Sequence, residues 1–211
     1  MQAWLPLFPL QVVLLPGAEL PLHIFEERYK EMIGEVLRDR IEFGVVLAGD
    51  QGLAGAGCTA VIDRVLREYP DGRLDILTKG RRRFEIMSLN EDRPFLRGEV
   101  EYFDDEDSAG PAAGEDFRVR AIAGYNELRA LSSDAPLPPS DVYHPQLSFR
   151  LARPVQDLSL RQILLSSRSE ADRLKQLAEF LPAFLVRQQR VERVKQLAPR
   201  NGHGGKVSGI E

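Results

Sequence analysis

Residues able to do chemistry are few in this chain, and they stand far apart. There is one cysteine, Cys58, and there are three histidines, His23, His144 and His203. His23 lies in an apolar run with no cysteine or second histidine at ligand spacing, which argues for a structural role rather than a metal centre. Ser140, Asp141 and His144 have the residue types of a hydrolytic triad, but a triad is a matter of geometry and these three sit together at a helix start. Nothing near Cys58 marks an activated nucleophile, so it reads as a small buried thiol. The glycine-rich residues 49–57 are followed by Cys58, Thr59 and Ala60, not by the Lys and Ser or Thr of a phosphate-cradling loop. They read as a flexible connection between strands. A near miss at Gly202 to Lys206 lacks both the spacing and the hydroxyl, and neither G-x-S-x-G nor H-E-x-x-H occurs. The acidic residues 104–116 lack the glycine and glutamate positions of a calcium loop. The expectation is a protein that is not an enzyme, with no catalytic residues, no cofactor and no metal.

One dense basic cluster remains, formed by Lys79, Arg81, Arg82 and Arg83. It is a candidate basic patch for RNA or an acidic peptide. Against that, strand alternation sends these side chains to both faces, and the only aromatic beside them, Phe84, is placed in the core by the same alternation. Nucleic-acid binding is therefore kept as the alternative reading. At 211 residues and a net charge of −4, the chain has no global attraction for nucleic acid or an anionic membrane. It is long enough to bury a core, and its 43% apolar and 28% charged residues are those of an ordinary soluble protein. A lone cysteine excludes an internal disulfide framework and fits a reducing compartment. No run reaches the roughly 18 apolar residues of a membrane span, and the amino terminus lacks a secretory layout, so the expected setting is cytoplasmic.

The elements that must position these groups begin with residues 5–29. Pro6 and Pro9 cannot donate to a ladder, which predicts a short strand at a sheet edge. Pro16-Gly17 predicts a turn. Tyr29, Met32, Ile33, Val36 and Leu37 share one helical face over residues 26–40. Residues 43–48 read as a buried strand. Pro70-Asp71-Gly72 predicts a hairpin turn between strands over residues 59–69 and 73–78. Residues 95–102 alternate, with Leu96, Val100 and Tyr102 on one side and Arg97, Glu99 and Glu101 on the other. The acidic stretch 104–116 has the composition of a solvated linker and is taken as the boundary. Beyond it the pattern turns helical: a helix from Phe117 to Leu131, a stop at the prolines after it, and capping boxes at Ser159 with Gln162 and Ser169 with Asp172. Pro182 should kink the last helix, and the tail from Pro199 reads as disordered.

The succession LPLFPL, VVLLPG, LPLHIFEERY and FGVV resembles the amino-terminal, substrate-binding domain of Lon proteases, as do the hairpin residues 59–86 and the DLSLRQILL segment. The resemblance covers about residues 3–197. It implies an α+β fold: a PUA-like open β pseudo-barrel over residues 1–107 carrying one packed helix, then an α-helical bundle over 115–198 and a tail over 199–211. It also implies a stand-alone domain without the ATPase and protease modules, serving as a non-catalytic module that binds unfolded segments or a specific protein partner. The candidate partner-binding surface lies between sheet and bundle, near Phe95, Phe103, Tyr143 and Phe149.

Overall fold

The computed structural model describes residues 4–50, 52–106 and 114–197, and the side chains of 195–197 are left aside. The predicted tail lies outside the described residues.

Strand β1 (Leu5–Leu10) carries both early prolines. It is not an edge strand as expected, because it lies between β3 (Phe43–Gly49) and β6 (Arg97–Phe103). Its neighbours are staggered. β6 pairs antiparallel with Leu5 and Pro6 only, whereas β3 pairs parallel with Leu7 through Leu10. Nowhere does the proline-bearing strand need a full ladder on both sides.

The parallel β1–β3 step is made through β2 (Glu19–Ile24) and helix α1 (Glu27–Asp39). As the spacing predicts, Tyr29, Met32, Ile33 and Val36 are buried, while Leu37 at the margin of that face is partly exposed. Phe8 of β1 meets Tyr29 with ring centroids 4.2 Å apart, so the helix packs against β1.

β4 (Gly52–Glu68) and β5 (Leu74–Asn90) form a long hairpin. Its turn closes as predicted, through Tyr69 N–H to the Arg73 carbonyl and Gly72 N–H to the Tyr69 carbonyl, both 2.9 Å, with Gly72 at φ 80°. The glycine-rich stretch is a correction: most of it is strand, and only two residues separate β3 from β4. Glycine is needed there for contact. A Cβ on Gly57 would stand 2.5 Å from the Phe84 ring and 2.7 Å from the Val45 carbonyl oxygen.

The first half of β5 pairs with β2 and the second half with β6, while β4 runs along both. The strand order is β2-β5-β4-β3-β1-β6, and the added β5–β6 pairing brings the ends of the β5-to-β6 run together, leaving β2 outside as an appended strand. The result is a pseudo-barrel whose closure at β1–β6 is only two residue pairs wide. Alternation gives the strands two buried faces. Leu7 and Val46 join Leu5 and Phe84 in a small inner cluster, whereas their neighbours Phe8 and Val45 belong to the main core shared with the helices.

The helical part comprises α2 (Glu115–Leu131), α3 (Leu147–Leu151), α4 (Leu158–Ser166) and α5 (Glu170–Leu197). α2 lies against α5, and Gly124 allows it close: a Cβ there would be 3.0 Å from that of Leu181. α5 opens as its capping pattern predicts, with Asp172 N–H donating to Ser169 Oγ at 3.2 Å, and stays helical through Pro182. α4 differs from expectation. Its cap is Asp157, whose carboxylate accepts from Leu160 N–H at 2.9 Å, two residues ahead of the proposed Ser159. The main core runs without interruption from Phe8 and Ile76 to Leu164 and Leu185, so sheet and helices bury one another.

Candidate functional site

Three of the four aromatics expected at a partner surface are core residues. Phe95, Phe103 and Phe149 are 2%, 6% and 1% exposed, and only Tyr143 faces solvent. The physical reason is that burying so large an apolar ring is favourable in itself, and arginines close over two of the three. Phe103 and Phe149 lie against guanidinium groups, with Arg83 4.6 Å from the Phe103 ring centroid and Arg173 4.4 Å from that of Phe149. Such cation–π contacts seal the two rings inside. Tyr102, expected on the covered face of β6, is instead exposed beneath Arg82, 3.9 Å from its ring centroid.

The basic cluster divides. Arg83 is buried and donates to Asp105 Oδ1 at 2.6 Å and to the carbonyls of Leu165 and Ser167. Burial presses its pKa down, and the Asp105 carboxylate works against that. Arg82 is tied to Glu42 at 3.0 Å. Lys79 and Arg81 are exposed, so what remains is not the continuous basic patch of four residues that the sequence suggested.

Around Arg83 is a buried ionic centre with no separate signal in the sequence. Arg173 is fully buried, and all five of its N–H donors find acceptors. Nε donates to Ser148 Oγ at 2.8 Å, Nη1 to Asp105 Oδ1 and the Ser167 carbonyl at 2.7 and 2.9 Å, and Nη2 to Asp105 Oδ2 and Glu170 Oε2 at 2.5 and 2.7 Å. Glu170 also accepts from Ser148 N–H and Oγ at 2.7 and 2.6 Å. Burial pushes the Asp105 carboxyl upward, but the hydrogen bonds and charges of Arg173 and Arg83 outweigh it and hold the group below the usual carboxylate range. Burial dominates at Glu170, which is raised. Asp105, read from composition as part of a solvated linker, instead fastens the end of β6 to α5. Of that stretch, Glu115 and Asp116 already belong to α2, and residues 107–113 lie outside the described residues.

The catalytic types stay apart. Asp141 pairs with Arg150, and His144 Nδ1 accepts from Gln146 N–H at 3.1 Å, so the three residues do not align as a relay. Burial pushes the Cys58 thiol up to about 12. His23 makes an exposed 2.5 Å contact with Asp75, its cross-strand register partner. Among the described residues, no group of three or more His, Cys, Asp or Glu is placed to hold a metal, and no helix is long and apolar enough to cross a membrane. His203 lies outside the described residues.

The feature suited to binding a chain is a groove between α4 and α5, about 480 Å³ in volume. Leu160, Ile163 and Phe180 supply its apolar wall, and Ser159, Gln176 and Arg187 polar groups. Ile163 is 51% exposed there, while Phe180 packs beside Phe184 at 5.4 Å between centroids. An apolar wall with a few polar groups is the composition of a recognition site.

Comparison with known proteins points to one family. The model of the ATP-dependent protease La (LON) substrate-binding domain matches residues 4–183. The Lon protease of Parabacteroides distasonis is 34% identical over 110 residues, which are 48% of this chain and 13% of that protein. The Lon protease of Porphyromonas gingivalis is 31% identical over 114 residues, 50% of this chain and again 13% of the relative. The chain thus spans a small part of the length of these relatives. Among solved structures, a Lon N-terminal domain protein from Xanthomonas campestris superposes with a TM-score of 0.65 at 29% identity, covering 84% of this chain and 98% of that one. The N terminal domain of a Mycobacterium avium complex Lon protease also gives 0.65, at 15% identity, covering 85% and 98%, and speaks to the fold alone.

Proposed function

This chain belongs to the ATP-dependent protease La (LON) substrate-binding domain family, and we propose that it is a non-catalytic recognition module that holds exposed segments of unfolded polypeptide or of a protein partner. The observation that carries this reading is the family match over residues 4–183, which falls on the substrate-binding part of the Lon architecture. The α4–α5 groove supports it physically. A segment bearing apolar side chains would bury them against Leu160, Ile163 and Phe180, while Gln176 and Arg187 offer hydrogen bonds to its main chain.

The experiment is fluorescence anisotropy with labelled unfolded polypeptide at low and moderate salt, comparing the native chain with Ile163→Glu. Binding that survives salt and weakens about tenfold in the variant supports the reading, since burying an unpaired carboxylate against an apolar wall is costly. Absence of binding, or equal binding by the variant, rejects the groove. Labelled single-stranded RNA is the control. RNA affinity that collapses with salt would move the function to the exposed Lys79 and Arg81 instead.

A further inference from the structure

A second, smaller cavity of about 200 Å³ lies where the sheet meets the helical part, and none of its lining residues belongs to the groove or to the buried ionic centre. Gly17 and Lys79 form one wall, and His144, Gln146, Arg150 and Arg153 form the other. Among the described residues, no carboxylate lines it. Asp141, paired with Arg150, and Glu19, which faces Lys79 across the β2–β5 ladder, both act on Arg153. Three fixed cations against these two leave the site with an excess of positive charge.

Its donors are held in place yet incompletely used. Arg153 Nη2 donates to the Gly17 carbonyl at 2.8 Å, which fixes the guanidinium while leaving other N–H groups over. The like charge of Arg150 acts on Arg153 in the same direction as its burial, and both press its pKa down. Because His144 Nδ1 accepts from Gln146 N–H, the ring proton stands on Nε2 and makes that nitrogen a donor. Among the described residues, the Lys79 ammonium has no hydrogen-bond or ion-pair partner.

We propose that this cavity binds a phosphate-type oxyanion, either as the free ion or carried on a phosphorylated side chain. An anion with oxygens in several directions can accept at once from the Lys79 ammonium on the sheet and the guanidinium groups of Arg150 and Arg153 on the helical side, a geometry that suits arginine forks. A planar carboxylate would leave one wall unserved. Binding here adds a second tie between β5 and α3, beside the one that runs from Arg83 through Asp105 and Arg173 to Ser148, so the ligand also stabilises the fold by mass action. The inference does not depend on polypeptide recognition in the groove.

The test is calorimetric titration of inorganic phosphate into the full chain, with ionic strength held constant by chloride, alongside thermal unfolding in the same buffers. The expected result is saturable one-site binding and a raised Tm that chloride alone does not produce. In Lys79→Gln/Arg150→Gln the dissociation constant should rise about tenfold or more, as loss of charge-assisted donors implies. Arg153 is left intact because its bond to Gly17 is structural. Should the double variant not fold, Lys79→Gln alone carries the test, since Lys79 is exposed. A phosphoserine peptide that competes with phosphate better than its unphosphorylated form assigns the site to modified protein; preference for the free ion assigns it to phosphate. No saturable heat, an equal response to chloride, or unchanged affinity in the variants overturns the proposal.

Discussion

Arg173 and Asp105 meet end-on, with Nη1 2.7 Å from Oδ1 and Nη2 2.5 Å from Oδ2. The two residues are 68 positions apart and join the exit of β6 to the first turn of α5. Asp105 also takes Arg83 of β5, so one carboxylate holds two buried guanidinium groups and three segments of the fold. Removing the carboxylate would leave both cations buried with part of their partners gone.

Asp105→Asn should therefore destabilise the chain by about 3–5 kcal/mol, the usual consequence of deleting one partner of a buried pair. Urea unfolding measures it. Glu106→Gln, which removes a partner of Arg168 from an exposed pair, should cost at most about 1 kcal/mol. Equal, small losses in both variants would mean that solvent screens the Asp105 centre.

The same centre sets an acid response with two opposed parts. Asp105 is lowered below the ordinary value of about 3.9, so the stability it contributes is present above that pH and is lost as the pH falls through its folded value. Glu170 is raised above the ordinary value of about 4.3, so its contribution is full below that value and is lost as the pH rises through its folded value. The urea midpoint should accordingly hold or rise as the pH is lowered from 7 toward about 5, then fall below about 4. Glu170→Gln should abolish the rise. Asp105→Asn should blunt the fall without removing it, because Asp39, Asp71, Asp75 and Asp141 are also lowered. A midpoint that declines steadily from pH 7 in the native chain would contradict the assignment of Glu170.

What was legible in the sequence was local. The i, i+3, i+4, i+7 face of α1, the Pro70-Asp71-Gly72 turn and the Ser169 cap each depend on neighbours within a few residues, and each stands where its pattern placed it. The family motifs carried the fold class beyond that. What was hidden depends on contacts far along the chain. Glycine is depleted in strands, so residues 49–57 read as a loop; only the Phe84 ring, across the β4–β5 ladder, explains why Gly57 belongs in one. Asp105 looked solvated because its flanking residues are acidic, whereas its partners lie 22 and 68 positions away. Phe103 and Phe149 were offered as surface because residue type does not reveal burial, and the arginines that cover them come from β5 and α5. The α4–α5 groove was missed for a related reason. Ile163 shares the apolar spacing of Leu160 and Leu164, and that spacing does not say which member of the stripe a neighbouring helix leaves uncovered.

Gly80 marks the point where β5 leaves β2 for β6, and its N–H and carbonyl are bonded to Ala18 and Gly17, both at 2.9 Å. An added Cβ would sit 2.3 Å from the Leu15 carbonyl oxygen, a backbone atom that cannot rotate away. Gly80→Ala should cost about 1–3 kcal/mol, in the range of overpacked cores. Gly49→Ala, where nothing lies within 4 Å of the new methyl, should change stability by no more than about 0.5 kcal/mol. Parity between the two variants in thermal unfolding would show that the crossing relaxes more easily than its geometry implies.

Cys58 gives the last prediction, and it reports on the sheet itself. The thiol is buried, donates to the Thr59 carbonyl at 3.4 Å and is pushed up to about 12 by burial. Reaction with a disulfide reagent needs the thiolate and access, and the native strand denies both. At pH 8 the native chain should leave Cys58 unmodified over hours, while chain unfolded in urea reacts within minutes. Native-state labelling should then track the population of opened sheet and accelerate in Gly80→Ala in proportion to its lost stability. Rapid labelling of the fully folded protein would mean that Cys58 is reached without opening β4, and that the core around it is looser than its contacts require.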